Sequence, residues 1–504
     1  MGARFWCAAA FAALIAPSVA GAQDITLTAR EGGLSISGSL QGYDGEFYRI
    51  DSAYGLLTVD AAGVLCDGPA CPDLTAPRAQ IRIIGLAGVG EALLPGLFRA
   101  FADARGLTYV AGDADGFAAT ILDPATDQPL ADISFTAAQP EASRMSLTSG
   151  AAELILAAAP EPGLAARVVA MDAMVPIVAP DNPLPEISTA DLARILAGEV
   201  DNWADVGGPD MPLVLHGLAA NSALQQALAA RLGRDVEAMV QHPDIASLSA
   251  AVTDDPWAVA VTVRAGVLAA RTLPLTDSCG FPLLPSPLAV KAEDYPLALP
   301  IYLITPKRRL PLFLREFLDF MANPRAQSAV AAAGWIDRQP ERQPMTADGL
   351  RLINAIQGAG EETTLADLKR LVTVMDGADR LSLTFRFRDG STDLDAHSTE
   401  NLNDLARLLE AGLFRGQSVI LAGFSDGSGA SKANLDLSRT RATGILTALA
   451  AAAPTIAAAD LPRVEAFGEA MPMACDETTA GRRLNRRVEV WLKPEFTNSP
   501  PPEN

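Results

Sequence analysis

The stretch SVILAGFSDGSGASKANLDLSRTRA, residues 418–442, decides how the C-terminal part of this 504-residue chain folds. Its first seven residues, 418–424, are rich in β-branched and apolar side chains, which predicts a buried strand. The Asp- and Gly-rich segment after them predicts a turn, and Asn434 is a favourable N-cap for a following helix. Asn434, Ser438 and Arg441 are spaced i, i+4 and i+7, so we expect them on one face of that helix.

A second motif, NRRVEV at residues 485–490, follows about forty residues later. The two motifs together resemble the OmpA-like peptidoglycan-binding domain, whose pattern is approximately GHTDxxG, then NxxLSxxRA, then NRRVE. The chain departs from this pattern at two positions, because Phe424 replaces the usual His and Ser425 the usual Thr. The resemblance implies that this part of the chain binds peptidoglycan.

The resemblance also implies roles for individual residues. Asp426 is expected to pair with the ammonium group of the diaminopimelate stem peptide. Arg441 is expected to pair with the carboxylate of the same group, a bidentate contact that suits arginine better than lysine. Ser425, Asn434 and Arg486 complete the predicted peptidoglycan-binding set. The alternative is an aspartate in an Asx-turn beside a solvated helix arginine.

Two other motif matches in this region are weaker. GFSDG, residues 423–427, fits the GxSxG nucleophile elbow, but that fold needs a histidine after the serine, and the last histidine is His397. The acidic residues between 389 and 400 have the spacing of a calcium loop, but Leu394 occupies the position that requires glycine. We therefore predict no catalytic residue, no metal and no cofactor, and hence a protein that is not an enzyme.

Residues 79–338 carry a separate series of motifs. LARILAGEVDNWADVGG at residues 192–208 follows the pattern LxxIFxGxxxxWxxVGG, and Tyr295-Pro296 and Gly334-Trp335 follow further on. These motifs resemble the phosphate-type substrate-binding proteins of ABC transporters. The resemblance implies a two-lobed, type II periplasmic binding fold.

The loops that would hold an anion are poor in hydroxyl groups. Phosphate binders of this type use backbone N–H groups at helix N-termini, aided by Ser and Thr. Only Ser222 keeps such a hydroxyl here, and Asp113 and Asp115 would repel phosphate. Specific phosphate binding, another small ligand, and a scaffold that has lost ligand binding all stay open. The candidate cleft residues are Ala87, Gly88, Asn221 and Ser222.

The N-terminus indicates export, and the net charge argues against two classes of partner. Residues 1–22 are typical of a signal peptide, with Arg4, an apolar stretch and a small-residue cleavage site. The formal charge of −21 becomes −22 when Arg4 is removed, which argues against nucleic-acid or anionic-lipid binding. No other run approaches the ~18 apolar residues of a membrane span. We expect a periplasmic protein on the cell-wall and outer-membrane side.

The cysteines and histidines give two further expectations. Cys66 and Cys71 flank a tight Asp-Gly-Pro-Ala turn, which predicts a local disulfide in an oxidising compartment. The sequence does not decide whether Cys279 and Cys475 pair. The three histidines are far apart in the chain and are predicted to be surface residues: His216, His242 and His397.

The predicted fold is a multidomain α/β protein. Its parts are a signal peptide (1–22), a small β module (24–78), a type II periplasmic binding domain (79–338), a linker with a helical spacer (339–378), an OmpA-like α/β sandwich of the βαβα type (379–495) and a disordered tail (496–504).

This organisation predicts a wall-anchored protein for ligand sensing or envelope organisation. The alternative is an ABC-transporter feeder for phosphate or a related oxyanion. The expected partners are peptidoglycan, a small oxyanion in the cleft, and an ABC transporter or another envelope protein.

Overall fold

The computed structural model describes residues 25–30, 32–43, 47–68, 70–71, 78–113, 116–357, 359, 362–388 and 391–494. The predicted signal peptide, the predicted tail and Asp115 lie outside these residues. The chain divides into two compact units. The first comprises Met1–Ala79 and Arg308–Arg315, and the second comprises Gln80–Lys307 and Glu316–Asn504. Among the described residues, no helix combines the length and apolar character that crossing a membrane requires.

The first unit contains the predicted small β module, which is confirmed. Its described strands form one antiparallel sheet in the order β4-β3-β2-β1-β5. Alternate residues such as Ile25 and Leu27 point into its core, where Tyr48 is fully buried. The strands are β1 (Ile25–Ala29), β2 (Ser35–Tyr43), β3 (Phe47–Ser52), β4 (Gly55–Asp60) and β5 (Val64–Asp67). A disulfide bonds Cys66, in β5, to Cys71, as the spacing predicts.

The middle of the chain alternates strands and helices. The strands are β6 (Ala79–Gly85), β7 (Thr108–Ala111), β8 (Phe117–Leu122), β9 (Pro129–Ala137), β10 (Leu154–Ala157), β11 (Ala165–Val178), β12 (Ile187–Ser188), β13 (Val214–Leu218), β14 (Val240–His242), β15 (Ala258–Val263), β16 (Arg271–Thr272), β17 (Leu275–Thr276), β18 (Pro282–Leu283) and β19 (Ala298–Thr305). The helices are α1 (Val89–Arg105), α2 (Pro140–Ser149), α3 (Thr189–Leu196), α4 (Ala223–Leu232), α5 (Ile245–Asp254), α6 (Pro287–Lys291), α7 (Leu312–Phe320) and α8 (Pro324–Ala332).

Strand β11 joins the two halves of the central sheet, whose order is β14-β13-β15-β11-β19-β10-β6-β9-β8-β7. The first part of β11 pairs antiparallel with β19, and its last part pairs with β15. Every residue of β11 from Val168 to Val178 is buried, as its apolar sequence predicts. The type II binding-protein architecture predicted for this region is confirmed.

The C-terminal domain is an α/β sandwich, as predicted. Its sheet has the order β20-β21-β24-β22-β23. The strands are β20 (Arg342–Pro344), β21 (Asp379–Arg386), β22 (Gln417–Phe424), β23 (Arg463–Ala466) and β24 (Arg487–Pro494). The helices are α9 (Gly349–Gln357), α10 (Leu365–Met375), α11 (Ala396–Glu410), α12 (Ser431–Ala452) and α13 (Thr479–Asn485).

Alternate residues of β22 point to the two faces of this sheet. Val419 and Leu421 pack with α11 and α12, whereas Ile420 and Ala422 pack with residues of α9 and α10. Both faces are therefore covered, which explains why β22 is apolar from Val419 to Phe424 rather than alternating.

The segment predicted as a linker, 339–378, is folded as part of this domain. β20 pairs antiparallel with β21, and α10 starts with a capping box between Thr364 and Asp367. Leu368 and Leu371 of α10 are buried in the same cluster as Trp491 of β24. The linker prediction missed this packing because it depends on a sheet face formed by residues of β22 and β24, which lie about fifty and about one hundred and twenty positions further along the chain.

Buried charges lie where the binding-protein-like and OmpA-like domains meet. Asp294, which precedes β19, is 3% exposed and forms ion pairs with two arginines of β21. The distances are 2.7 Å to Arg380 Nη1 and 2.9 Å to Arg386 Nη2. Burial lowers the pKa of Arg380, but Asp294 and Glu489 raise that pKa by more, so the guanidinium stays charged.

Glu489 in β24 extends this cluster and is 0% exposed. Its Oε1 atom lies 2.7 Å from both Arg351 Nη2 and Arg487 Nε. Burial raises the pKa of Glu489, but Arg351, Arg380 and Arg487 lower it by more, so the pKa falls well below its usual range. Asp294 and Glu489 thus each form ion pairs with more than one arginine inside the protein.

We predict that Asp294→Ala strongly destabilises the protein, because it leaves Arg386 buried without its ion-pair partner and leaves Arg380 only the longer 3.5 Å contact to Glu489. Removing one partner of a buried pair typically costs about 3–5 kcal/mol. The measurement is the free energy of unfolding by chemical denaturation. Asp319→Ala is the matched control, since Asp319 is 79% exposed in its pair with Arg167 and should change stability by less than about 1 kcal/mol. Equal effects of the two substitutions would contradict this interpretation.

The prediction of surface histidines is wrong for His216 and His397, which are 7% and 3% exposed. His216 and His242 lie on neighbouring strands β13 and β14, with His216 Nδ1 at 3.0 Å from His242 Nε2 and the rings stacked. His397 hydrogen-bonds through Nε2 to the Lys291 carbonyl at 3.0 Å. Strand pairing brought His216 and His242 together, and their sequence spacing could not reveal it.

Burial and the neighbouring His242 lower the pKa of His216, while Asp255 partly opposes this. The folded state therefore binds a proton less readily than the unfolded state, whose histidine pKa is about 6.5. The stability that neutral His216 contributes is present above that pH and is lost as the pH falls below it. We predict that His216→Asn reduces the loss of unfolding free energy between about pH 7.5 and about pH 5.5. An imidazole NMR titration that gives His216 a pKa above the unfolded value would contradict this.

Candidate functional site

The candidate peptidoglycan site forms where β22 ends against α12. A Cβ atom on Gly423 would lie 2.2 Å from the Ser438 carbonyl oxygen, so only glycine allows the strand to approach the helix this closely. α12 begins at Ser431 with Ala430 as its cap, so the prediction that Asn434 caps the helix is wrong. Asn434, Ser438 and Arg441 do share the buried face of α12, as their spacing predicts.

Asp426 lies in the turn after β22 and is 9% exposed. Its Oδ1 accepts a hydrogen bond from the Ser428 backbone N–H at 3.0 Å. Its Oδ2 lies 3.1 Å from Arg486 Nη1 and forms an ion pair with that residue. The aspartate therefore has both the Asx-turn geometry and a cationic neighbour. That neighbour, Arg486, belongs to the second motif, NRRVEV.

Arg441 is 9% exposed, and its Nε and Nη1 atoms make no hydrogen bond to any part of the chain that the structure describes. The guanidinium carbon lies 5.4 Å from the centre of the Phe387 ring. Burial lowers the pKa of Arg441, Arg486 lowers it further, and Asp426 partly opposes this. Buried donors without partners are costly, and an anionic ligand would satisfy them.

The two departures from the family pattern occupy different surroundings. Phe424 is 1% exposed, with its ring 5.7 Å from that of Phe467 and 4.3 Å from the guanidinium carbon of Arg487. Ser425 is 3% exposed, and its hydroxyl has no hydrogen-bond partner among the described residues. Phe424 therefore belongs to the core, while Ser425 keeps an unsatisfied hydroxyl beside Asp426.

Asn434 contacts an acid that the sequence analysis did not single out. Its Nδ2 atom lies 3.4 Å from Glu469 Oε2. A second such acid, Asp476, accepts hydrogen bonds from the Gly427 backbone N–H at 2.6 Å and from Asn485 Nδ2 at 2.8 Å. Asn485 is the first residue of the NRRVE motif, so the motif did contain one residue that contacts Asp476. No signal in the sequence pointed to Glu469.

The candidate cleft residues are divided between two helix N-termini. Ala87 and Gly88 are exposed in the turn before α1, with Gly88 at a φ of 74°. Glu91 follows in the first turn of α1, and its buried Oε2 atom has no partner among the described residues. A carboxylate therefore already supplies negative charge where an anion would bind.

The second of these N-termini belongs to α4. Asn221 is exposed just before it, and Ser222 caps the helix by accepting from the Gln225 N–H at 3.2 Å. The oxygen of the Ser222 hydroxyl therefore already accepts the hydrogen bond that caps α4. It keeps a proton that could still be donated to a ligand.

One group of potential metal ligands occurs in the described residues: Cys279, Cys475 and Glu477, with ligand atoms within 4.8 Å of one another. The two cysteine sulfurs are bonded to each other. A disulfide offers no thiolate, so this group does not suit a metal while the bond is intact.

Two family models match the chain. A PBP superfamily domain matches residues 131–325, and the OmpA family matches residues 386–486. The phosphate-binding protein PstS of Borreliella burgdorferi is 44% identical over 50 residues, which are 10% of this chain. The match spans only 18% of that protein's length.

Several solved structures are similar to about half of the chain. An ABC-type phosphate transport receptor from Vibrio cholerae aligns with a TM-score of 0.41 at 17% identity, over 51% of this chain and 99% of that one. A putative phosphate ABC transporter substrate-binding protein from Clostridium perfringens, with bound phosphate, aligns with a TM-score of 0.41 at 17% identity, over 52% of this chain and 100% of that one.

The family models agree with the two domains that the sequence motifs predicted, and each falls within one of them. This chain joins a PBP superfamily domain to a C-terminal OmpA family domain.

Proposed function

We propose that this protein is a non-enzymatic periplasmic protein that binds peptidoglycan through its OmpA family domain. Its binding-protein-like domain would serve ligand sensing or envelope organisation. The observation that carries the proposal is Arg441, whose buried Nε and Nη1 donors lack a partner among the described residues while Asp426 lies in the same site.

The chemistry of this site suits a zwitterion. Diaminopimelate carries an ammonium and a carboxylate on one carbon. Asp426 would accept a hydrogen bond from the ammonium. The ammonium would compete with Arg486, which already forms an ion pair with this carboxylate. Arg441 would donate to the carboxylate through two parallel N–H groups. Ser425, whose hydroxyl has no hydrogen-bond partner among the described residues, would contact the same ligand.

Export is part of the proposal and rests on the predicted signal peptide. The alternative, an ABC-transporter feeder, rests on the matched PBP superfamily domain and on the similarity of a short segment to a phosphate-binding protein. A diffusing feeder gains nothing from attachment to the wall, whereas a local sensor or an envelope organiser does. We therefore favour the wall-anchored function.

We predict that Asp426→Ala and Arg441→Ala each weaken binding of the exported protein to purified diaminopimelate-type peptidoglycan by about ten-fold or more. Each substitution removes a charged hydrogen bond, worth about 1.5–3 kcal/mol. The measurement is co-sedimentation at increasing peptidoglycan concentration. The full chain should be used, because 339–378 is folded into the domain and a fragment starting at 379 would lose it.

The matched controls are Asp436→Ala and Arg439→Ala, which remove the same side chains from the exposed face of α12. They should sediment like the unchanged protein. Arg441→Lys should also bind weakly, because an ammonium cannot make the bidentate contact. If the Asp426/Arg441 double variant sediments as well as the controls, the assignment of these residues is wrong.

For the cleft we predict weak phosphate binding, with a Kd no tighter than about 100 µM, or roughly −5.5 kcal/mol. Ala87 offers no hydroxyl, and Glu91 and Asp113 place negative charge at or near the loops. The measurement is calorimetry on phosphate-free protein, with Glu91→Gln as the variant that removes the repelling charge. A sub-micromolar Kd for the unchanged protein would favour the transporter alternative instead.

A further inference from the structure

A short loop, residues 472–477, contacts both domains of the second unit, and we name it the clasp loop. Cys475 in this loop is disulfide-bonded to Cys279, which lies between β17 and β18 of the binding-protein-like domain. The Cys475 backbone N–H also donates to Asp277 Oδ2 at 2.9 Å. The clasp loop is therefore held by a covalent bond and a charged hydrogen bond from residues nearly two hundred positions earlier.

Asp277 is itself rigidly held. It is 3% exposed, and its Oδ1 accepts from the backbone N–H groups of Cys279 and Phe281 at 2.9 and 2.8 Å. One carboxylate oxygen of Asp277 thus accepts hydrogen bonds from the turn that contains Asp277, and the other accepts a hydrogen bond from the clasp loop. The orientation of the clasp loop follows from the turn in the binding-protein-like domain.

The residue after Cys475 reaches the candidate peptidoglycan site. Asp476 Oδ2 accepts from the Gly427 N–H, and a Cβ on Gly427 would lie only 2.7 Å from that oxygen. Asp476 Oδ1 accepts from Asn485, which immediately precedes Arg486. Gly427 immediately follows Asp426. Asp476 therefore holds the residues adjacent to both members of the Asp426–Arg486 ion pair.

We propose that the binding-protein-like domain positions the peptidoglycan site through Asp277 and the Cys279–Cys475 disulfide. This inference rests on the proposed function of the OmpA family domain. Asp277, Cys279 and Cys475 are positioning residues, because they act on Asp426 through Asp476 and Gly427. An OmpA family domain without this partner domain would lack the disulfide and the Asp277 hydrogen bond that hold the clasp loop.

The physical reason is preorganisation. A loop that a covalent bond and a hydrogen bond already hold in place loses less conformational entropy on ligand binding than a free loop does. When the disulfide is opened, the clasp loop gains freedom, and Asp476 holds the Gly427 N–H for less of the time. Asp426 then has to be ordered by the ligand itself, which lowers affinity.

The test compares peptidoglycan co-sedimentation of the full exported protein with that of two variants, Cys279→Ser/Cys475→Ser and Asp277→Asn. Asp277→Asn keeps the size of the side chain but loses one acceptor. We expect both variants to bind about ten-fold more weakly, because each gives the clasp loop conformational freedom that ligand binding must then remove. Cys66→Ser/Cys71→Ser, which removes the other disulfide, is the matched control and should bind like the unchanged protein.

Backbone amide hydrogen exchange distinguishes a local change at the clasp loop from general destabilisation of the domain. In both clasp variants the Gly427 amide should exchange at least about five-fold faster while amides in the middle of β22 and α12 keep their protection. Treatment of the unchanged protein with a reductant should reproduce the effect. The same treatment should leave Cys279→Ser/Cys475→Ser unaltered.

The outcomes separate the two proposals. If the unchanged protein does not bind peptidoglycan, the proposed function fails, and Gly427 exchange alone still decides whether the clasp positions this loop. If the unchanged protein binds and both clasp variants bind equally well with Gly427 still protected, the clasp proposal is overturned. Loss of binding together with loss of protection throughout β22 and α12 would overturn it as well, since the effect would then be unfolding.

Discussion

The neutralisation of buried charge is the constraint on which the second unit depends. Asp294, Arg380 and Glu489 are almost completely removed from water, and each of them needs an opposite charge beside it to remain ionised there. Asp294 comes from the binding-protein-like domain, Arg380 from β21 and Glu489 from β24. The Asp294 segment and β21 must therefore assemble together, because either of them alone would bury an unpaired charge. A network of this kind gives specificity to a junction that apolar packing alone would leave less defined.

This constraint changes how the two domains relate. A peptidoglycan-binding domain on a flexible linker would leave its partner free to move about the attachment point. Here residues 339–378 cover one face of the OmpA-like sheet, and ion pairs and a disulfide join that domain to its neighbour. Arg338, just after the binding-protein-like helices, also pairs with Glu400 of α11. Attachment to the wall would then fix the orientation of the binding-protein-like domain.

The two candidate sites differ in how they treat charge. At the candidate peptidoglycan site, Arg441 is buried with donors that lack partners among the described residues, and unsatisfied groups of this kind are tolerated mainly at functional sites. At the cleft, Glu91 places a carboxylate in the first turn of α1, and Ser222 already serves as a helix cap. The first arrangement favours an incoming carboxylate. The second opposes an incoming anion.

The sequence by itself determined the features that depend on neighbours in the chain. The apolar run before Gly423 predicted β22, the i, i+4, i+7 spacing predicted the buried face of α12, and the short separation of Cys66 and Cys71 predicted their disulfide. The two C-terminal motifs and the separate series of motifs within residues 79–338 likewise identified the two domains, because a family pattern records residue types in order along the chain.

Only the tertiary structure decided which distant residues meet. Arg380 and Arg386 look like solvated strand residues until Asp294 is placed between them, and Asp426 has Arg486 as its partner, sixty positions away. The pairing of Cys279 with Cys475, the stacking of His216 on His242 and the packing of α10 on the sheet have the same cause. Each is set by how strands and helices pack, and local sequence patterns contain no information about contacts between residues so far apart.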